Sequence, residues 1–426
     1  MTNRIQTYAW GSSDAIAALQ RRKPSGEPEA ELWMGTHPRS PSSITYSAGE
    51  GISLEDHIRR NPRTLGDRAE SLGAVEGGFR GVPFLLKVLA VERALSIQAH
   101  PDREQAREGF DREDRNGVLR DAPERTYRDR NHKPELVCPL SEFWGLCGFR
   151  PAAELVKEMR AFRKELYRES PAREHGAAAG LGILLESIDS YLEQPGGREL
   201  YRLFVHFVGS DDGTIRDLLV RAGARHAEER AREHARYRWI GELLRQYPGD
   251  PGAIAPLYLN LLHLQPGEAV FLRPGVLHAY LRGTAVELMA NSDNVLRAGC
   301  TNKHVDVPEL LRIVRFVQSP PDRVEPSRRG LLRVYPTAAE EFELSLFRPA
   351  HGTGGAVRMT KTEGPAIILN AGGPVECDGV ELGSGRSLFV EHDTREWTVS
   401  GRPGAALNGG TIVFVAALPG TVSGDA

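Results

Sequence analysis

The stretch Val82-Pro83-Phe84-Leu85-Leu86-Lys87-Val88-Leu89-Ala90, followed by Ala94-Leu95-Ser96-Ile97-Gln98-Ala99-His100-Pro101-Asp102, decides how this chain is read. Its first part is apolar and strand-like. In its second part Gln98 and His100 stand two residues apart. Residues i and i+2 of an extended segment point to one face. An amide oxygen and an imidazole are therefore aimed together at whatever that face encloses.

Outward from this stretch, three textures follow one another. Up to about Arg150, short β-like runs are separated by Gly and Pro. From Pro151 to Tyr247 the pattern turns helical, with Leu155, Val156, Met159, Phe162 and Leu166 at helical spacing. Between Arg225 and Arg245 charges of both signs surround an apolar stripe of Tyr237, Ile240, Leu243 and Leu244, which reads as a solvated helix face. After Pro248-Gly249-Asp250-Pro251-Gly252 the β texture returns, with runs at 269–272, 285–289, 342–347, 366–369, 387–390 and 411–415. Many short strands with Gly-rich turns indicate a sandwich or barrel. The expected fold is mainly β with a helical insertion. Residues 1–150 and 251–325 would form one discontinuous β-domain, 151–250 the insertion, and 326–426 a second β-domain.

Composition bounds the function. The 426 residues carry 54 basic and 57 acidic side chains, a net charge of −3. That balance gives no electrostatic footprint for nucleic acid. No apolar run approaches the roughly 20 residues that span a bilayer. The N-terminus lacks the apolar core of a signal peptide, so a cytoplasmic location is expected. Cys138, Cys147, Cys300 and Cys377 form no CxxC pair and read as reduced thiols.

Four segments are dense in metal-binding or charged residues: Gln98/His100, Tyr127–Glu135, Pro274–Tyr280 and Glu287–Lys303. Gln98, His100, Glu135 and His278 make a sensible metal site. Imidazole nitrogen and carboxylate oxygen bind Zn²⁺ at about 2.0–2.2 Å, and the amide oxygen is a weaker neutral ligand. One carboxylate among neutral ligands leaves a residual positive charge that polarises a substrate oxygen. A purely structural zinc site would more often use thiolates. A strand with paired ligands, a later Glu and a Pro-Gly-x-x-His is also how a cupin-like barrel gathers a metal. His263, in an apolar run, reads as a hydrogen-bonded core residue, and His392 as a surface residue.

These segments resemble type I mannose-6-phosphate isomerases (phosphomannose isomerases). Tyr127 to Glu135 fits the family pattern Y-x-D-x-N-H-K-P-E at every fixed position. His278 to Lys303 fits its longer pattern, H-A-Y-x-x-G-x-x-x-E-x-M-A-x-S-D-N-x-x-R-A-G-x-T-P-K, with Asn302 where proline is expected. Ala30–Pro38 and Leu95–Asp102 are also typical. The resemblance implies two cupin-like (jelly-roll) β-domains, a helical domain and one Zn²⁺ per chain. It implies interconversion of mannose 6-phosphate and fructose 6-phosphate. Carried over by position, Gln98, His100, Glu135 and His278 are its zinc ligands and Arg297 its active-site arginine. Lys87, Ser96, Lys133, Tyr280, Glu287 and Lys303 are pocket residues.

Aldose–ketose isomerisation needs a base, an electrophile and a hold on the phosphate. Glu287, between apolar Val286 and Leu288, is the first choice of base; Asp293, which would otherwise serve ring opening, and a zinc-bound water are its rivals. Arg297, permanently charged, would stabilise an enediolate or clamp a hydroxyl. Ser96, Lys87 and Lys303 are candidates for the phosphate. Lys133 fits either the phosphate or a contact with Glu135. No Gly-rich nucleotide loop is present. The partner is a small sugar phosphate, with no nucleic acid or membrane, and a monomer is expected. Two other classes compete: a cupin oxygenase using Fe²⁺ and a non-catalytic sugar-phosphate-binding cupin.

Overall fold

The apolar stretch forms a strand because both its faces are covered. In the computed structural model, which describes residues 1–45, 51–73, 81–170, 177–210, 212–348, 356–401 and 410–425, every residue of Phe84–Val91 is buried. The strand belongs to a ten-stranded antiparallel system. In chain order its members are β1 (Arg4–Gln6), β2 (Glu31–Met34), β3 (Phe84–Val91), β4 (Ile97–Ala99), β5 (Glu135–Pro139), β6 (Phe143–Phe149), β7 (Leu259–Leu264), β8 (Val270–Leu272), β9 (His278–Ala290) and β10 (Leu296–Gly299). The main spatial order is β1-β2-β3-β9-β4-β10, while β5 joins β9 to β8 and β6 joins β9 to β7.

β9 is the spine of this system. Its first residues pair with β4 and β6, its last eight with β3 and β5. The register slips between Tyr280 and Arg282. Gly283 follows with φ of +120°, and a Cβ there would stand 2.4 Å from the Glu142 carbonyl oxygen. Only glycine suits that close approach. The irregularity has a consequence for chemistry. Tyr280 and Glu287 are seven apart, which in a regular strand puts them on opposite faces. With one residue slipped they share a face, and the Tyr280 hydroxyl lies 2.8 Å from Glu287 Oε1.

Five helices, Ala152–Glu169, Ala177–Glu193, Gly197–Gly209, Gly213–Arg230 and Ala235–Gln246, lie between β6 and β7. Leu155, Met159, Phe162 and Leu166 are buried as their spacing predicts, in one core with Leu146 and Phe149 of β6. The charged stretch from Arg225 to Arg245 is divided between the last two helices. His226 departs from its solvated face: it is buried 2.7 Å from Glu158.

The C-terminal part forms two sheets. One orders Ser327–Arg329, Leu332–Tyr335, Glu343–Phe347, Val413–Ala417, Ala366–Asn370 and Ser387–Val390; the other orders Val380–Leu382, Val375–Cys377, Glu396–Gly401, Ala356–Lys361 and Val422–Asp425. Alternate residues such as Val334, Ile368, Val399 and Val415 fill an apolar interior. The opposite face of the first sheet, with Leu344, Ile367 and Phe414, packs on Leu86, Val88, Val286 and Leu288 of β3 and β9.

Two expectations are corrected. The fold is mixed rather than mainly β, with about as much helix as strand, because the inserted helices are long while the strands are short. His263 is hydrogen-bonded but not in the core. It is exposed, stacks on Trp144 at 4.0 Å between ring centroids and lies 2.7 Å from Glu142. His392 is partly covered, its Nδ1 accepting from the Gly364 amide. All four cysteines are buried and free.

Candidate metal centre

The centre is built from the ends of three strands. β4 places Gln98 directly opposite His278 of β9 and, on its other side, opposite Arg297 of β10. Directly opposed residues of an antiparallel pair share a face, so these three side chains line one wall. His100 follows one residue after β4, and Glu135 opens β5, opposite Met289 of β9.

His100, Glu135 and His278 are buried, and their donor atoms all lie within 4.8 Å of one another. His100 Nε2 is 3.3 Å from Glu135 Oε1, and His278 Nε2 is 3.3 Å from Glu135 Oε2. Two donors bound tetrahedrally at about 2.0–2.1 Å from one ion stand about 3.3–3.4 Å apart, so the spacing suits a zinc-sized ion. Each imidazole uses its other nitrogen on a backbone carbonyl: His100 Nδ1 on Asn294 at 2.7 Å, His278 Nδ1 on Val276 at 3.0 Å. A carbonyl only accepts, so both Nδ1 atoms carry the proton and both Nε2 atoms present a lone pair. Those two Nε2 atoms are buried without a hydrogen-bond partner. Orphaned buried nitrogens around a carboxylate are costly unless an ion satisfies them.

The electrostatics agree. Burial, aided by Lys133, lowers the His100 pKa to about 4 and keeps the ring neutral, as a ligand must be. Burial opposes charge on Glu135, but Lys133 at 2.9 Å holds its carboxyl well below the usual range. Lys133 thus reaches Glu135.

Beside the cluster a second layer forms. Tyr280 Oη bridges Glu287, at 2.8 Å, and Glu135 Oε2, at 3.2 Å. Glu287 stands opposite Lys87 across the β9–β3 ladder, with Lys87 Nζ at 3.0 Å from its Oε2. Lys87 also lies 3.8 Å from Glu31 and over the Trp33 ring. The Glu287 pKa is raised, first by burial and against the pull of Lys87. Val286 and Leu288 contribute little to that, since they pack outward against the C-terminal sheet.

The third layer is cationic. The Lys303 pKa is lowered by burial and then by Arg297, Arg128 and Arg39; the Arg297 pKa is lowered by burial and then by Arg128. Arg39 has Asp293 at 3.6 Å, while Lys303, Arg297 and Arg128 stand near enough to disfavour one another's charge, an arrangement that suits an anion. Ser96 is half-buried just before β4. The turn before Lys303, where Asn302 replaces proline, is held by the Lys303 amide donating to Thr301 Oγ1 at 3.1 Å.

Asp293 faces a cavity of about 560 Å³ together with His37, Arg128 and Asp129. None of the three clustered donors lines that cavity, so it does not contain the centre. His37 was not among the candidate residues read from sequence, although it lies in the Ala30–Pro38 segment. Its Nδ1 accepts from the Arg39 amide at 3.4 Å, and its Nε2 lies 3.5 Å from Asp293. Asp129 was also passed over. It takes the Asn131 and Asp293 amides and the Ser292 hydroxyl, lacing the 127–135 and 291–294 segments together.

Comparison with known proteins gives this geometry a family. Residues 1–152 match the model of the phosphomannose isomerase type I catalytic domain. Mannose-6-phosphate isomerase of Escherichia coli (strain K12) is 35% identical over 410 residues, 94% of this chain and 96% of the relative. The chain belongs to the type I phosphomannose isomerase family. The Homo sapiens member is 37% identical over 336 residues, 74% of this chain and 72% of its own. A solved structure of mannose 6-phosphate isomerase with zinc bound matches with a TM-score of 0.82 and 32% identity, covering 98% of both chains. Family members with zinc bound and the orphaned donors of His100 and His278 agree on the metal.

Proposed function

We infer that this chain is a zinc-dependent aldose–ketose isomerase that interconverts mannose 6-phosphate and fructose 6-phosphate. The observation that carries the reading is the pair of orphaned imidazole nitrogens on Glu135, joined through Tyr280 to a buried Glu287. His100, Glu135 and His278 would hold the ion, with Gln98 as a neutral fourth ligand. Bound zinc supplies a Lewis acid beside the sugar carbonyl.

The remaining roles fall to the protein. Glu287 takes the carbon-bound proton from one carbon and returns it to the next. Lys87 keeps that carboxylate in place and Tyr280 orients it. Arg297 stabilises the developing enediolate charge. Lys303 and Ser96, with Arg128 alongside, receive the phosphate, since Lys87 and Lys133 are already engaged with Glu287 and Glu135. Asp293 and its neighbour His37 are suited to ring opening. The sheets are read as two cupin-like jelly rolls, 1–150 with 251–325 and 326–426, the helical domain 151–250 being inserted in the first. The test is a coupled assay on mannose 6-phosphate with and without chelator, alongside metal analysis. Isomerisation that disappears with the zinc and returns on its addition is expected; a metal-free chain with full activity would overturn the reading.

A further inference from the structure

We propose that Glu341, from the C-terminal sheet region, is a positioning residue for the active-site wall. Glu341 lies two residues before strand Glu343–Phe347, and its side chain is 1% exposed. Its Oε1 is 2.7 Å from His132 Nε2 and 2.5 Å from Arg103 Nη2. Its Oε2 is buried without any partner. A carboxylate held this deep is costly without paired charge, and its charge here meets groups from the other sheet region.

Those groups lead directly to the site. His132 precedes Lys133, which lies 2.9 Å from the metal-centre carboxylate of Glu135. Arg103 lines the cavity that Asp129 and Asp293 also line. Arg103 Nη2 also lies 3.1 Å from His132 Nε2, but it donates to the carboxylate at 2.5 Å. Glu341 Oε1, the nearer partner of the ring, accepts from its Nε2–H, so a neutral His132 presents its lone pair at Nδ1. Glu341 therefore sets the tautomer of His132 and the place of Arg103 across the junction of the two sheet regions. The adjacent Glu340 is 70% exposed and only 3.7 Å from Arg103, which makes it a natural control.

The inference rests on the isomerase reading, and the experiment separates the two. With the zinc-loaded full chain, Glu341→Gln is expected to lower kcat about tenfold or more while KM and zinc content stay near wild type, and Glu340→Gln to change nothing. The loss should be non-additive with that of His132→Asn. Wild-type kcat in Glu341→Gln, additive losses, or a loss that tracks zinc or melting temperature would overturn the proposal while leaving the isomerase reading intact. An inactive wild type would sink that reading instead. Independently of activity, ¹⁵N spectra of histidine-labelled chain, assigned through His132→Asn, should show His132 protonated at Nε2 in the wild type. Protonation at Nδ1 would also overturn the proposal.

Discussion

Two antiparallel sheet systems sit in this one chain, and their interiors differ. Between the C-terminal sheets, Val334, Ile368, Val399, Val415 and Trp397 pack as an ordinary apolar core. The ten-stranded system buries Lys87, His100, Glu135, His278 and Glu287. The described residues hold no second cluster of metal-binding groups. The same pleated architecture thus serves chemistry in one place and stability in the other, and the side chains on the inner face decide which.

The harshest test of that difference is Glu135→Gln. It removes the only charge among the proposed ligands, and zinc content and isomerase activity should fall together, by orders of magnitude. Full zinc with a wild-type rate would erase the distinction between the two interiors. Glu287→Gln should keep zinc, lower kcat by about 10²–10⁴ and abolish exchange of the C2 proton with solvent; retained exchange points to another base. Arg297→Ala should follow, with kcat lower by about 10²–10³ and zinc still bound. Loss of zinc there would mean that the arginine serves the Gln98–His278 wall structurally.

How far such a site can be read from sequence depends on where its geometry is local. Gln98 and His100 are two apart, and the period of a strand is enough to aim them together. Glu135 and His278 were singled out by residue type in their own segments and again by the motif resemblance, and the structure gathers them with His100. The pairing of Tyr280 with Glu287 was not legible as geometry, because a slip near Gly283 reverses the alternation that a pattern reader must assume. Val286 and Leu288 misled for a related reason: as flanking residues they point away from Glu287, into another core. His37, Asp129 and Glu341 were missed because their partners lie 256, 164 and 209 positions away. No local period carries such contacts. The balance of helix and strand was misjudged because strand runs are many but short.

A change on the other side of the comparison should separate stability from chemistry. Ile368 is fully buried between the C-terminal sheets. Ile368→Ala should cost roughly 2–5 kcal/mol of unfolding free energy, while kcat per folded, zinc-loaded molecule stays at wild type. A drop in kcat at full folding would mean that the apolar interior shapes the site.

The smallest effect concerns acid. Burial lowers the pKa of His37 from 6.5 to about 4, with Asp293 opposing. The unfolded chain therefore binds a proton on this residue at higher pH than the folded chain does. Stability from this group is complete above pH 6.5, declines as pH falls towards 4 and changes no further below it. The whole effect is at most about 3 kcal/mol, at 1.36 kcal/mol per pKa unit. Denaturant titrations of wild type and His37→Gln between pH 7 and 4 read it directly: the variant should lose stability less steeply than the wild type across that window. Parallel slopes would mean that His37 is protonated in the folded chain as readily as in the unfolded one, and that the polar interior owes its acid sensitivity to other groups.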